Sequence, residues 1–117
     1  GREVVGAENV GGAGLQDIML YGKREAELGY WVRKSARGRG VASTAIRAIA
    51  AFAFNELKLV RASMRIRLDN TSSRRAAERA GASFEGVTRH GIVHGEARFD
   101  AAHYSLLPAD LARPWSP

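Results

Sequence analysis

The chain has 117 residues, enough for a single domain with a modest core. Charged residues interrupt its 45% apolar content throughout, which excludes a membrane-spanning helix. The absence of cysteine excludes a disulfide scaffold, a thiolate metal site and a cysteine nucleophile. A net charge of +6 admits a basic nucleic-acid-binding domain, but the arginines are spread along the chain, so that reading takes the smaller share. Nothing at the start reads as a signal peptide, and the cytoplasm is the expected compartment.

In chain order, Val4 to Ala13 and Gly14 to Leu20 read as short strands around glycines, followed by a turn at Tyr21 to Arg24. Glu27 to Arg33 is the next strand, with Leu28, Tyr30 and Val32 on one face and Glu27, Gly29 and Trp31 on the other. Apolar residues at 41, 45, 49 and 52, joined by 42, 46 and 53, predict an amphipathic helix from Val41 to about Phe54. Leu59 to Leu68 alternates between an apolar set (Val60, Ala62, Met64, Ile66, Leu68) and a polar one, which predicts a strand. Asn70 or Thr71 caps a short helix that ends at Gly81. Phe84 to Val93 and Ala97 to Leu106 form a hairpin across His94-Gly95-Glu96. This order gives an α/β fold in which a crossover helix joins two parallel strands. His90, His94 and His103 match no metal-ligand spacing, so no metal is expected.

The stretch from Trp31 to Ala42 carries the chemistry. An apolar strand runs into a glycine turn flanked by arginines, and a helix starts at once. Glycines let backbone N–H groups approach a ligand, and a helix N-terminus adds unpaired N–H groups and a positive dipole end. The segment therefore reads as a pyrophosphate cradle. A P-loop fails because no Lys-Ser/Thr pair follows Gly40, and the dinucleotide fingerprint has only two of its three glycines. The pattern Arg/Gln-x-x-Gly-x-Gly/Ala is met in full by Arg37-Gly38-Arg39-Gly40-Val41-Ala42, and it resembles the acetyl-coenzyme A signature of the GNAT N-acetyltransferase superfamily. A second block, Asn70 to Gly86, resembles the Asn-x-x-Ser … Glu-Lys/Arg-x-Gly … Glu-Gly run of the branch that contains the ribosomal-protein N-terminal acetyltransferases.

The resemblance implies a GNAT fold: a mixed central sheet whose parallel strand pair splays around the cofactor, flanking helices and a C-terminal hairpin, in one domain over residues 1–117. Lys58 stands where the family usually ends the crossover helix with glycine. GNAT domains normally open with a strand and one or two helices that form much of the acceptor pocket; this chain opens near the second strand, which implies an N-terminally incomplete or truncated relative. The implied activity is acetyl transfer from acetyl-coenzyme A to a primary amine by direct attack. Trp31 and Val32 end the strand that meets the pantetheine arm, and Gly38, Gly40, Val41 and Ala42 present N–H groups to the pyrophosphate. Arg37 and Arg39 take a phosphate role, while Asn70, Ser73 and Arg79 complete the cofactor set. Ser73 would assist the leaving thiolate, because Ala77 replaces the tyrosine that many relatives use. Glu27 is the candidate base, needed because only a neutral amine attacks a thioester. Alternation also allows Glu27 to be merely exposed. The expected partners are acetyl-coenzyme A and an amine acceptor, either a protein N-terminus or a small molecule, with a homodimer open and no membrane. The rival readings are a non-catalytic acyl-coenzyme A-binding module and the nucleic-acid-binding domain.

Overall fold

A computed structural model describes residues 3–7, 11–32 and 40–117. Strands β1 (Glu3–Ala7) and β2 (Gly11–Met19) pair antiparallel with Ala7 opposite Gly11, so the first strand break falls earlier than Ala13–Gly14. Gly11 belongs to a strand for a tertiary reason. A Cβ there would lie 2.9 Å from the Trp31 carbonyl oxygen and 3.0 Å from Val41 Cγ1, so its absence lets three elements meet.

The chain continues through β3 (Glu25–Val32), α1 (Val41–Asn55), β4 (Arg61–Arg67), α2 (Thr71–Arg79), β5 (Ser83–His94), β6 (Ala97–Leu106) and a short α3 (Pro108–Leu111) that the sequence pattern did not signal. The strands form one six-stranded sheet in the order β1-β2-β3-β4-β6-β5. The mixed α/β class and its parallel pair are as expected. β3 and β4 run parallel through Glu25–Arg61, Ala26–Ala62 and Glu27–Ser63, and then part while β3 runs on to Val32 and β4 to Arg67.

Helix α1 makes the parallel connection and covers one face of the sheet. Ile46, Ile49, Ala50, Ala53 and Phe54 pack with Leu15, Leu28, Ala62, Met64 and Tyr104. The buried stripe is rotated from the expected one: Ala45 and Phe52 are only half-buried, and Ser43 is buried. An alanine-rich helix offers apolar positions on several faces, so its periodicity alone does not select one. Lys58 takes the left-handed conformation (φ 58°), and Leu59 returns its N–H to the Ala53 carbonyl at 3.0 Å. The alternation in β4 sorts as expected, with Ala62, Met64 and Ile66 buried and the arginines on the opposite face.

Those arginines are held by carboxylates. Arg61 forks onto Glu85 at 2.8 and 2.7 Å and reaches Glu25 at 3.5 Å; Arg65 meets Glu27 at 2.9 Å; Arg67 meets Asp69 at 2.8 Å. The positive charge of β4 is thus neutralised locally, which takes it out of any basic patch. Strand β5 bulges twice against β6. The register jumps between Phe84 and Gly86 and again between Thr88 and Ile92, where His90 turns left-handed (φ 52°) and donates its N–H to Asp100 Oδ1 at 2.9 Å.

Two measurements check this packing. Ile49 is fully buried in α1. Ile49→Ala is expected to cost about 2–5 kcal/mol, read as a lower urea midpoint at unchanged slope. Arg61's hydrogen bonds hold the Glu85 carboxyl below its ordinary range. A carboxyl depressed on folding adds stability above its unfolded pKa and loses it as pH falls through the folded value. At neutral pH Glu85→Gln should cost at most about 1 kcal/mol, as for a partly exposed pair. Its melting temperature should then fall less than that of the wild type on acidification from about pH 5 to about pH 2. Parallel acid profiles would remove Glu85 from the acid response.

Candidate functional site

A cleft of about 570 Å³ opens where β3 and β4 part. One wall is the end of β3, with Tyr30, Trp31 and Val32. The floor is the first turn of α1, from Gly40 to Ser43, and the far wall is one face of α2, with Asn70, Ser72, Ser73, Arg75, Ala76 and Arg79.

The α1 end of the cleft suits an anion. Gly40 is the N-cap, in the left-handed region (φ 72°, ψ 9°) where a β-branched residue would be strained. Among the described residues no side chain caps this helix, and no acidic residue occupies its first turn. The first N–H groups of a helix have no intrahelical acceptor, so those of Val41, Ala42 and Ser43 are donors available to a ligand. Ser43 turns its hydroxyl back onto the Gly40 carbonyl at 3.1 Å, and Thr44 begins the helical ladder by donating to the same oxygen at 3.0 Å. Arg75 and Arg79 add cationic groups on the facing wall.

At the α2 end, Asn70 Oδ1 accepts from the Ser73 N–H and from Ser72 Oγ, each at 3.2 Å, which makes Asn70 the cap. The Ser73 carbonyl in turn accepts a hydrogen bond from the Tyr30 hydroxyl across the cleft. Burial pushes the Tyr30 phenol well above its usual range, so it remains a donor throughout the neutral range. Tyr104 lies beneath α2, where its hydroxyl accepts from Arg74 Nε at 3.1 Å and donates to Glu78 Oε2 at 2.8 Å. Ala77 is buried in the core.

Trp31, Val32, Gly40, Val41, Ala42, Asn70, Ser73 and Arg79 therefore meet at one cleft. Arg37, Gly38 and Arg39 lie outside the described residues. Glu27 does not line the cleft. It sits on the opposite face of β3, half-buried, with its carboxylate on Arg65, at the last position where β3 pairs with β4. A smaller depression of about 220 Å³ lies along β2 and β3, bounded by residues including Gly14, Gln16, Gly29 and Trp31. The sequence reading missed Tyr30, Ser43, Ser72, Arg75 and Ala76. Tyr30 shares the Leu28–Val32 face, and 72, 75, 76 and 79 follow helical spacing from Asn70's cap, so both signals were present. Among the described residues, no group of three or more His, Asp or Glu could hold a metal ion, and no helix is long and apolar enough to cross a membrane.

Comparison with known proteins identifies this architecture. Residues 3–83 match the acetyltransferase (GNAT) domain family. The chain is 38% identical over 84 residues to YdaF of Bacillus subtilis, named as a candidate ribosomal N-acetyltransferase, covering 72% of this chain and 46% of that protein. It is 30% identical over 84 residues to the ribosomal-protein-serine acetyltransferase of Escherichia coli, covering 72% of this chain and 47% of that protein. The chain thus spans about half the length of the curated relatives it matches. Among solved structures, Mycobacterium smegmatis RimJ in complex with CoA-disulfide superposes with a TM-score of 0.82 at 26% identity, over 89% of this chain and 50% of that one. A family match over most of the chain, on a sheet that parts between its parallel strands, shows that the chain belongs to the GNAT acetyltransferase family.

Proposed function

We propose that the protein is an acetyl-coenzyme A-dependent N-acetyltransferase that acts in the cytoplasm on a primary amine, with a protein N-terminus as the first acceptor to test. One observation carries this reading: the two separated sequence blocks, Gly40 to Ser43 and Asn70 to Arg79, form the floor and far wall of one cleft beside a helix N-terminus that no described side chain caps. The residues present fit the cofactor. Uncapped N–H groups and two arginines suit phosphates, and the open β3 edge suits the amide-bearing arm. The relatives named for ribosomal-protein acetylation support the choice of acceptor.

Bound acetyl-coenzyme A supplies an acyl thioester as acetyl donor. Val41, Ala42 and Ser43 would hold the pyrophosphate through their N–H groups, with Arg75 and Arg79 on the phosphates and Trp31 and Val32 along the arm. Arg37, Gly38 and Arg39 belong to the same proposed set. Ser73, its backbone fixed by Asn70 and Tyr30, would offer its hydroxyl to the departing thiolate. Glu27 would take the ammonium proton, directly or through water, from an amine arriving on its own face of β3, with Arg65 orienting the carboxylate. The pairing of Glu27 with Arg65, away from the cleft, favours a second reading: a coenzyme A-binding module without turnover. The neutralised β4 arginines weigh against a nucleic-acid surface.

Coenzyme A should raise the melting temperature, by roughly 2.7 kcal/mol of stabilisation at a hundredfold excess over Kd. Dephospho-coenzyme A and NAD should do less. Ala42→Asp should leave the free protein as stable or slightly more so, through the helix dipole. It should also weaken coenzyme A by more than about tenfold, because like-charge juxtaposition costs several kcal/mol. Equal responses to all three ligands, or unchanged affinity in Ala42→Asp, would defeat the cofactor assignment.

Release of free thiol from acetyl-coenzyme A, measured with short peptides and small amines, separates enzyme from binding module. Ser73→Ala is expected to lower kcat by roughly tenfold to a thousandfold with coenzyme A affinity little changed. Turnover indifferent to the substitution removes Ser73 from the mechanism. Tight binding with no thiol release from any amine establishes the binding module.

A further inference from the structure

The far end of α2 poses a physical problem. Within this helix only Ala77 is buried, followed by Ala80 at its end, and a buried methyl group anchors little compared with the isoleucines of α1. The N-terminal end is tied by Asn70, by Tyr30 and by Arg74, whose Nη1 donates to the Leu68 carbonyl at 3.2 Å. At the other end, the ties come from outside the helix. Arg47 of α1 donates to the Ala80 carbonyl at 2.8 Å and to the Leu111 carbonyl at 3.2 Å. Its guanidinium lies 4.6 Å from the centre of the Trp115 ring, and Trp115 Nε1 donates to the Arg79 carbonyl at 2.6 Å. The segment then follows α1 back towards its start, where a Cβ on Gly40 would lie 3.2 Å from Pro117 Cβ. Residues 112–117 thus span the same two elements that bound the cleft.

We propose that Trp115 is a positioning residue: with Arg47 it forms a clasp that holds the C-terminal end of α2, and so keeps Arg75 and Arg79 on the cleft for the cofactor's phosphates. The inference rests on the cleft's being the coenzyme A site. It goes beyond the family resemblance, because the match ends at residue 83 and Trp115 lies after it. Trp115 fastens the Arg79 carbonyl at the end of α2, and Arg79 also contributes a cleft-lining side chain. Releasing it lets that end of the helix fray away from the cleft without disturbing the Asn70 cap.

The test uses the full chain with coenzyme A as ligand, and compares Trp115→Ala and Trp115→Phe with the wild type. Hydrogen exchange at residues 76–82 reads the clasp without ligand, and circular dichroism checks that each variant is folded. Trp115→Ala should exchange faster there, with residues 46–53 of α1 unchanged. It should also raise the coenzyme A Kd by about three- to tenfold, as expected for losing one hydrogen bond and one cation–π contact. Trp115→Phe keeps the ring over Arg47 and lacks the N–H donor, so it should fall between the two. In the thiol-release assay, KM for acetyl-coenzyme A should rise while kcat at saturation holds. Unchanged exchange at 76–82 overturns the clasp, and faster exchange with unchanged coenzyme A affinity overturns its role at the cleft. Failure of the wild type itself to bind coenzyme A overturns the cofactor reading and the clasp's coupling to it, whereas the exchange comparison still decides whether Trp115 holds α2.

Discussion

The pairing of β3 with β4 stops at Glu27 and Ser63, and the site depends on that stop. Parallel strands joined by a crossover helix would ordinarily continue their ladder as far as both strands extend. Here the strands diverge, and the backbone of β3 from Leu28 to Val32 has no partner on β4. Polar backbone groups at such a gap need a partner, so the gap is a place where a ligand rich in amides can take the position of a strand. The Tyr30–Ser73 hydrogen bond ties the end of β3 to the start of α2 across this opening. The same divergence brings the start of α1 and the start of α2 to one mouth.

The two longer helices are fastened by different physics. Helix α1 is held by dispersion and burial, through Ile46, Ile49, Ala50, Ala53 and Phe54. Helix α2 has a cap at one end, an arginine and an indole at the other, and alanines between. The element with the deep core is held along its length, and the other is held by polar tethers at its two ends. Charged pairs repeat this division on the opposite sheet face, where Glu25, Glu27 and Glu85 hold the β4 arginines in order.

What was legible in the sequence was mostly local. The β4 alternation, the Asn70 cap, the end of α2 at Gly81 and the hairpin turn, expected over His94-Gly95-Glu96 and found one residue shorter at Gly95-Glu96, each depend on neighbours within a few residues. Both arms of the cleft were marked in the sequence, one by the glycine and helix start at Gly40 to Ala42 and the other by the Asn70 cap. The features that escaped depend on contacts distant in sequence. Gly11 is a strand residue because β3 and α1 crowd it, which no local rule reveals. The stripe on α1 was misplaced because alanine suits either face. Glu27's partner on β4 and Trp115's seat on Arg47 require the fold to be known first.

The bulges of β5 have a consequence for the behaviour of the molecule in crowded solution. This strand is the free edge of the sheet beyond β6, it is twelve residues long, and it exposes Phe84, Val87 and Val93. A straight edge of that length and composition is a template for another chain's strand, and hence for fibrillar growth. The left-handed turn at His90 and the positive φ of Gly86 break the row of outward N–H and C=O groups into short, misaligned runs. A visiting strand could match only one run at a time, so these kinks act as gatekeepers against aggregation.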